Sequence, residues 1–130
     1  MYRWVEHTSE LELEIEAPNE EGIFEAGFEA MRELLASEGG DPARSRQVVL
    51  SADDRPALLA DWLAELAYLA EAEGLMPDRL AALELEPGRV RAEVEGRLGR
   101  PPQLVKGVTY HRLALEATEA GYRATVVLDV

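Results

Sequence analysis

Beyond Gly74 the chain has no helical periodicity. Its last third reads as four extended segments, at about 81–85, 90–97, 105–117 and 122–130. Only turn chemistry separates them: Pro87-Gly88, Gly99 to Pro102 and Glu119-Ala120-Gly121. Ahead of Gly74 the pattern is different. Leu11-Glu12-Leu13-Glu14-Ile15-Glu16-Ala17 alternates strictly, as a half-buried strand with one acidic face does. A helical stretch, a short strand at Gln47-Val48-Val49-Leu50 and a second helical stretch follow. Strand, helix, strand, helix and then a run of strands favours an α+β fold, with two helices packed on largely antiparallel sheet. Val90-Arg91-Ala92-Glu93-Val94-Glu95 alternates small apolar with charged side chains, so one of its faces meets water.

Both helices carry their own start and stop signals. Pro18-Asn19 ends the first strand, and Asn19 is placed to cap a helix over about 20–37. Phe24, Phe28, Met31, Leu34 and Leu35 fall at helical spacing there, acidic Glu20 and Glu21 sit at the positive end of the dipole, and Gly39-Gly40 supply the stop. The second helix, about 55–73, has Asp53 or Asp54 as cap and Pro56 in its first turn. Its stripe is Leu58, Leu59, Trp62, Leu63, Leu66 and Leu69, with Gly74 as the stop; Trp62 and Tyr68 are expected in the core.

At 130 residues the chain is expected to form one domain, residues 1–130, with a self-sufficient core. It has no cysteine, which removes disulfides, thiolate metal sites and thiol nucleophiles. No apolar run reaches membrane length and no basic-then-apolar leader appears, so a cytoplasmic protein with no membrane association is expected. A formal charge of −13 argues against direct contact with nucleic acid, whose phosphates need a basic face. The same charge favours solubility and attraction of cations.

Few arrangements of ordinary enzyme chemistry are present. The two histidines, His7 and His111, have no helical zinc spacing. No glycine-rich loop leads into a Lys-Ser/Thr pair, and no serine has the flanking glycines of a nucleophile elbow. Three clusters remain. The chain's end brings the Asp129 carboxylate to within one residue of the Val130 carboxylate, on a run that reads as a buried strand. Two like charges about 4 Å apart cost ~1 kcal/mol even in water. Either both are simply solvated at a loose end, or a cation with oxygen ligands offsets the cost. Glu6-His7-Thr8-Ser9-Glu10 is the second cluster. Such a polar run is ordinarily a turn, and Glu10 would add a third carboxylate if that segment lies beside the terminal strand. The third is Val105-Lys106-Gly107-Val108-Thr109-Tyr110-His111. Lys106 is the single lysine among thirteen basic residues, Gly107 permits a bulge or a close approach, and Tyr110 and His111 read as packing or hydrogen-bonding residues.

Taken in order, these pieces resemble the archease family: His7-Thr8-Ser9-Glu10, Trp62-Leu63-Ala64-Glu65-Leu66-Ala67-Tyr68-Leu69, the Val105 to His111 run, and the terminal Val126-Val127-Leu128-Asp129-Val130. The resemblance spans essentially the whole chain. It implies a protein without a reaction of its own that activates a GTP-dependent RNA ligase, the type joining a 3′-phosphate or 2′,3′-cyclic phosphate end to a 5′-hydroxyl. It further implies promotion of ligase guanylylation and of repeated turnover in tRNA splicing and RNA repair. The family's metal site maps onto Glu10, Asp129 and the Val130 carboxylate, with calcium as the expected ion and magnesium or manganese as alternatives. Lys106 becomes a candidate for contact with the partner. The family usually has His-Thr-Ala-Asp where this chain has His-Thr-Ser-Glu; glutamate keeps the charge but reaches one methylene further, which calcium tolerates better than magnesium. Two other functions stay open: a metal-independent acidic or chaperone-like module that masks a basic RNA-binding partner, and a metal-dependent hydrolase.

Overall fold

The computed structural model describes residues 1–36 and 40–130, for 41–43 only the backbone. Its elements are β1 (Tyr2–His7), β2 (Glu10–Ala17), α1 (Glu20–Leu35), β3 (Asp41–Ser51), α2 (Arg55–Ala72), β4 (Leu75–Glu86), β5 (Arg89–Leu98), β6 (Gly107–Thr118) and β7 (Gly121–Asp129). The strands form a four-stranded sheet in the order β1-β2-β7-β6 and a three-stranded sheet in the order β3-β5-β4. Every pairing is antiparallel, so the α+β class holds, with the strands divided between two sheets.

The helices fill the space between the sheets. The Asn19 side chain accepts from the Gly22 N–H and that of Asp54 from the Ala57 N–H, both at 2.8 Å, so each helix start satisfies one otherwise orphan donor. Helix α1 touches β1, β2 and β7 of one sheet and β4 of the other; α2 touches β6 on one side and β3, β4 and β5 on the other. That position explains why α2 buries Ala60, Ala67 and Ala70 as well as its leucine stripe: a helix covered on two sides keeps only a narrow wet stripe, here Asp61, Glu65 and Tyr68. Trp62 anchors the helix pair. Its ring stacks on Phe28 with centroids 6.4 Å apart, and its indole N–H donates to the Phe24 carbonyl at 3.0 Å. Burying such a side chain contributes about 1.5–3 kcal/mol. Tyr68 departs from expectation: it is 58% exposed. Six residues after Trp62 it lies roughly 240° further round the helix, away from the anchor.

Strand boundaries differ most where polar residues or proline obscure the pattern. β1 lies ahead of the first strand expected from the sequence, and its outward side includes Val5, which breaks the alternation. β4 begins at Leu75, directly after Gly74, whose φ of 68° turns the chain and whose carbonyl accepts from the Gly99 N–H at 2.8 Å. Pro77 is tolerated because the register jumps between Pro77 and Arg79, a bulge where the ladder is already interrupted. Helix α1 ends at Leu35, short of the expected Ser37, because Ala36 is already extended; Ser37 and Gly39 lie outside the described residues, and Gly40, with φ 108°, lies beyond the helix end and is not its stop. Among the described residues no helix is long and apolar enough to cross a membrane.

Candidate functional site

The four-stranded sheet has two unlike faces, because successive side chains on a strand point to opposite sides. On β2, Leu11, Leu13 and Ile15 pack inward and Glu10, Glu12, Glu14 and Glu16 point outward. Residues directly opposite one another on neighbouring strands share a face. The register therefore sets His7, Glu10, Asp129 and Gly107 side by side in one outward row across β1, β2, β7 and β6. Glu10 and Asp129 are direct cross-strand partners, an arrangement that by itself destabilises a ladder.

Backbone bonds hold the end of the chain in this row. The Val130 N–H donates to the Ser9 carbonyl at 3.1 Å, and the Lys106 N–H donates to the Asp129 carbonyl at 2.7 Å. Thr8-Ser9 is the two-residue turn between β1 and β2, with Ser9 in the left-handed region at φ 61°. The Asp129–Val130 peptide is thus held on both sides rather than fraying, and the Val130 side chain packs partly against the core. The row is open at its β6 end: a Cβ built on Gly107 would meet nothing within 4 Å. Gly107 has no positive φ, so what its missing side chain provides is space beside Asp129.

Of the residues singled out from the sequence, Glu10, Asp129 and Val130 come together, and the Lys106 backbone bonds into the same group. Lys106 itself is exposed and lies just before β6, not within a strand. Among the described residues no carboxylate lies within 4 Å of its ammonium group. The donors present are hard oxygen groups with room beside them, which suits a calcium-like ion. Among the described residues no three His, Cys, Asp or Glu side chains gather as a metal-holding group. A cation here would rely on the Val130 carboxylate to supplement the two side chains.

Sequence reasoning did not find Arg112 and Glu12. Between Thr109 and Ala114 the β6 register jumps, so residues 110–113 oppose only Val126 of β7. The bulge is pinned by the His111 N–H, which donates to Thr109 Oγ1 at 2.8 Å, and Arg112 takes φ 58°. Its guanidinium crosses over β7 to β2, with Nε 3.0 Å from Glu12 Oε1 and Nη2 3.9 Å from Glu10 Oε1. Beneath that crossing, Val127 is fully buried although it sits on the outward face. His7 Nε2 lies 3.7 Å from the same Glu12 oxygen. Tyr110, expected to pack, is 64% exposed at the edge of this bulge. No local signal marks Arg112, since its partner lies 100 residues away in the chain.

Comparison with known proteins gives a consistent result. The family model described as the archease protein family (MTH1598/TM1083) matches residues 2–130. An archease from Methanosarcina mazei is 31% identical, the match covering 99% of this chain and 95% of that protein. One from Archaeoglobus fulgidus is 30% identical, covering 99% and 98%. In fold, the crystal structure of a Thermotoga maritima archease matches all of this chain and 98% of its own with a TM-score of 0.73 at 18% identity. The solution structure of Methanobacterium thermoautotrophicum protein 1598 also gives 0.73, at 21% identity, covering 99% of this chain and 98% of its own.

Proposed function

The chain belongs to the archease protein family, and from that membership we propose that it is a cytoplasmic protein cofactor, not itself an enzyme, of a GTP-dependent RNA ligase. The ligase is of the type that joins a 3′-phosphate or 2′,3′-cyclic phosphate end to a 5′-hydroxyl in tRNA splicing and RNA repair. The protein would promote guanylylation of the ligase and its return for further turnovers. Glu10, Asp129 and the Val130 carboxylate would hold a divalent cation, calcium first and magnesium or manganese next. When bound, such an ion supplies compact positive charge of the kind that neutralises phosphate oxygens.

The chain's own residues have distinct parts in this proposal. The Ser9 carbonyl and the Lys106 N–H fix the strand end, so the carboxylates need little ordering when a ligand arrives. Lys106 offers an ammonium group with no ion pair among the described residues, suited to a phosphate or carboxylate of the partner. Gly107 keeps the approach to Asp129 clear. The observation that carries the proposal is the direct opposition of Glu10 and Asp129 at the tethered Val130, a concentration of like charge that a cation would offset.

The test is ligase guanylylation, followed with labelled GTP, in the presence of the native protein and of two variants. A short C-terminal extension removes the Val130 carboxylate from its place, and Gly107→Leu fills the space beside Asp129. Both should fold normally, with stimulation reduced at least about tenfold for the extension, as for loss of a metal ligand, and several-fold for the leucine. An extended protein that stimulates as well as the native one rules out a role for the terminal carboxylate. A second function draws on the Arg112 contact: a face that already accepts one guanidinium is suited to accept those of a basic partner. That metal-free masking would survive chelation and weaken steeply with salt.

A further inference from the structure

We propose that Arg112 is the affinity-determining residue of this cation site, a built-in monovalent counter-ion that holds divalent affinity below what the carboxylates alone would give. The inference rests on the cation site proposed above. It starts from an unusual backbone. A non-glycine residue at φ 58° inside a register break is costly, and bulges of this kind re-aim a side chain. Here the re-aimed side chain is a guanidinium, and it spans a whole strand to reach the acidic face of β2.

Its two contacts are unequal. Glu12 is the close anchor at 3.0 Å, and Glu10 is the looser neighbour at 3.9 Å. Arg112 therefore stays over Val127 whether or not Glu10 turns toward Asp129. A divalent ion seated at Glu10 would have this fixed positive charge as a near neighbour. At a separation of roughly 6 Å, one and two positive charges repel enough in water to change affinity on the order of tenfold, and physiological salt reduces that to about threefold. The same charge partly neutralises Glu10 when no divalent ion is bound, which limits the repulsion between Glu10 and Asp129. Free and occupied sites are thereby brought closer in energy, a property suited to a protein that must engage and release a partner.

Calorimetric titration with calcium chloride alone tests this, using native protein, Arg112→Gln and Arg112→Lys, each with its melting temperature measured without calcium. Gln keeps side-chain bulk over Val127 and removes the charge; Lys keeps the charge. The expected result is about three- to tenfold tighter calcium binding for Gln, with a larger gain at low salt, and binding within about twofold of native for Lys. Unchanged or weaker binding by Gln, with native binding intact, would overturn the role of Arg112 and leave the cation site standing. Absence of calcium binding in all three proteins would remove the site and this inference together.

Discussion

The two ends of β2 are built from the same residue and differ in what faces it. Toward the end of the strand, Glu14 receives a 2.6 Å hydrogen bond from the Arg3 guanidinium, which holds its carboxyl below the usual carboxylate range, and Glu16 stands opposite Arg123. At the start of the strand, Glu10 stands opposite Asp129, beside the tethered Val130, with a guanidinium no nearer than 3.9 Å. The alternating Leu-Glu pattern produces both ends alike. At these two ends the cross-strand partner sets the difference: Glu14 faces a cation at hydrogen-bond distance, and Glu10 faces a like charge with only a looser cation nearby.

The largest expected effect is a contrast between two identical substitutions. Glu10→Gln should weaken calcium binding at least about tenfold, as loss of a ligand group does. Glu14→Gln, made on the same face four positions on, should leave it within about twofold. Equal losses in both would mean that calcium answers only to net charge, and the distinction between the two ends would disappear.

A smaller effect concerns the compensated end. Tyr2, at the start of β1, donates its hydroxyl to Glu33 at 2.7 Å. Burial first, and the neighbouring Glu33 second, push its phenol up to about 12 from the ordinary 10.0. A pKa raised in the folded state means the folded protein holds its proton longer than the unfolded chain. The associated stability is complete below about pH 10 and is lost as pH climbs toward about 12. Melting temperatures of native protein and Tyr2→Phe should therefore converge over that interval, with calcium affinity at neutral pH unchanged. Parallel melting curves would show that Tyr2 carries no such linkage.

Much of this arrangement is legible in the sequence, for identifiable reasons. Period-2 alternation fixed the outward acidic face of β2, and the caps at Asn19 and Asp54 fixed both helix starts. The terminal residues Asp129 and Val130 stand out in the sequence because two carboxylates one residue apart concentrate like charge. That Glu10 faces Asp129 could not be read, because register between strands more than a hundred residues apart leaves no local trace. Arg112 leaves no sequence signal for the same reason, since its reach depends on a bulge that shows only in the folded register and backbone. Tyr68 is exposed against expectation because its angular position on α2, not its aromatic character, decides its side. The first half of β4 was hidden by Pro77, which reads as a loop until the bulge beside it is seen.

The most direct test of the central claim, that Glu10, Asp129 and Val130 share one cation, is a calcium titration of the native protein followed through its backbone amides by nuclear magnetic resonance. Saturable shifts should concentrate at Ser9, Glu10, Lys106, Gly107, Asp129 and Val130, and leave Glu14, Glu16 and Arg123 at the other end of the ladder unmoved. Shifts spread evenly along the acidic face, or none at these six residues, would contradict a shared site.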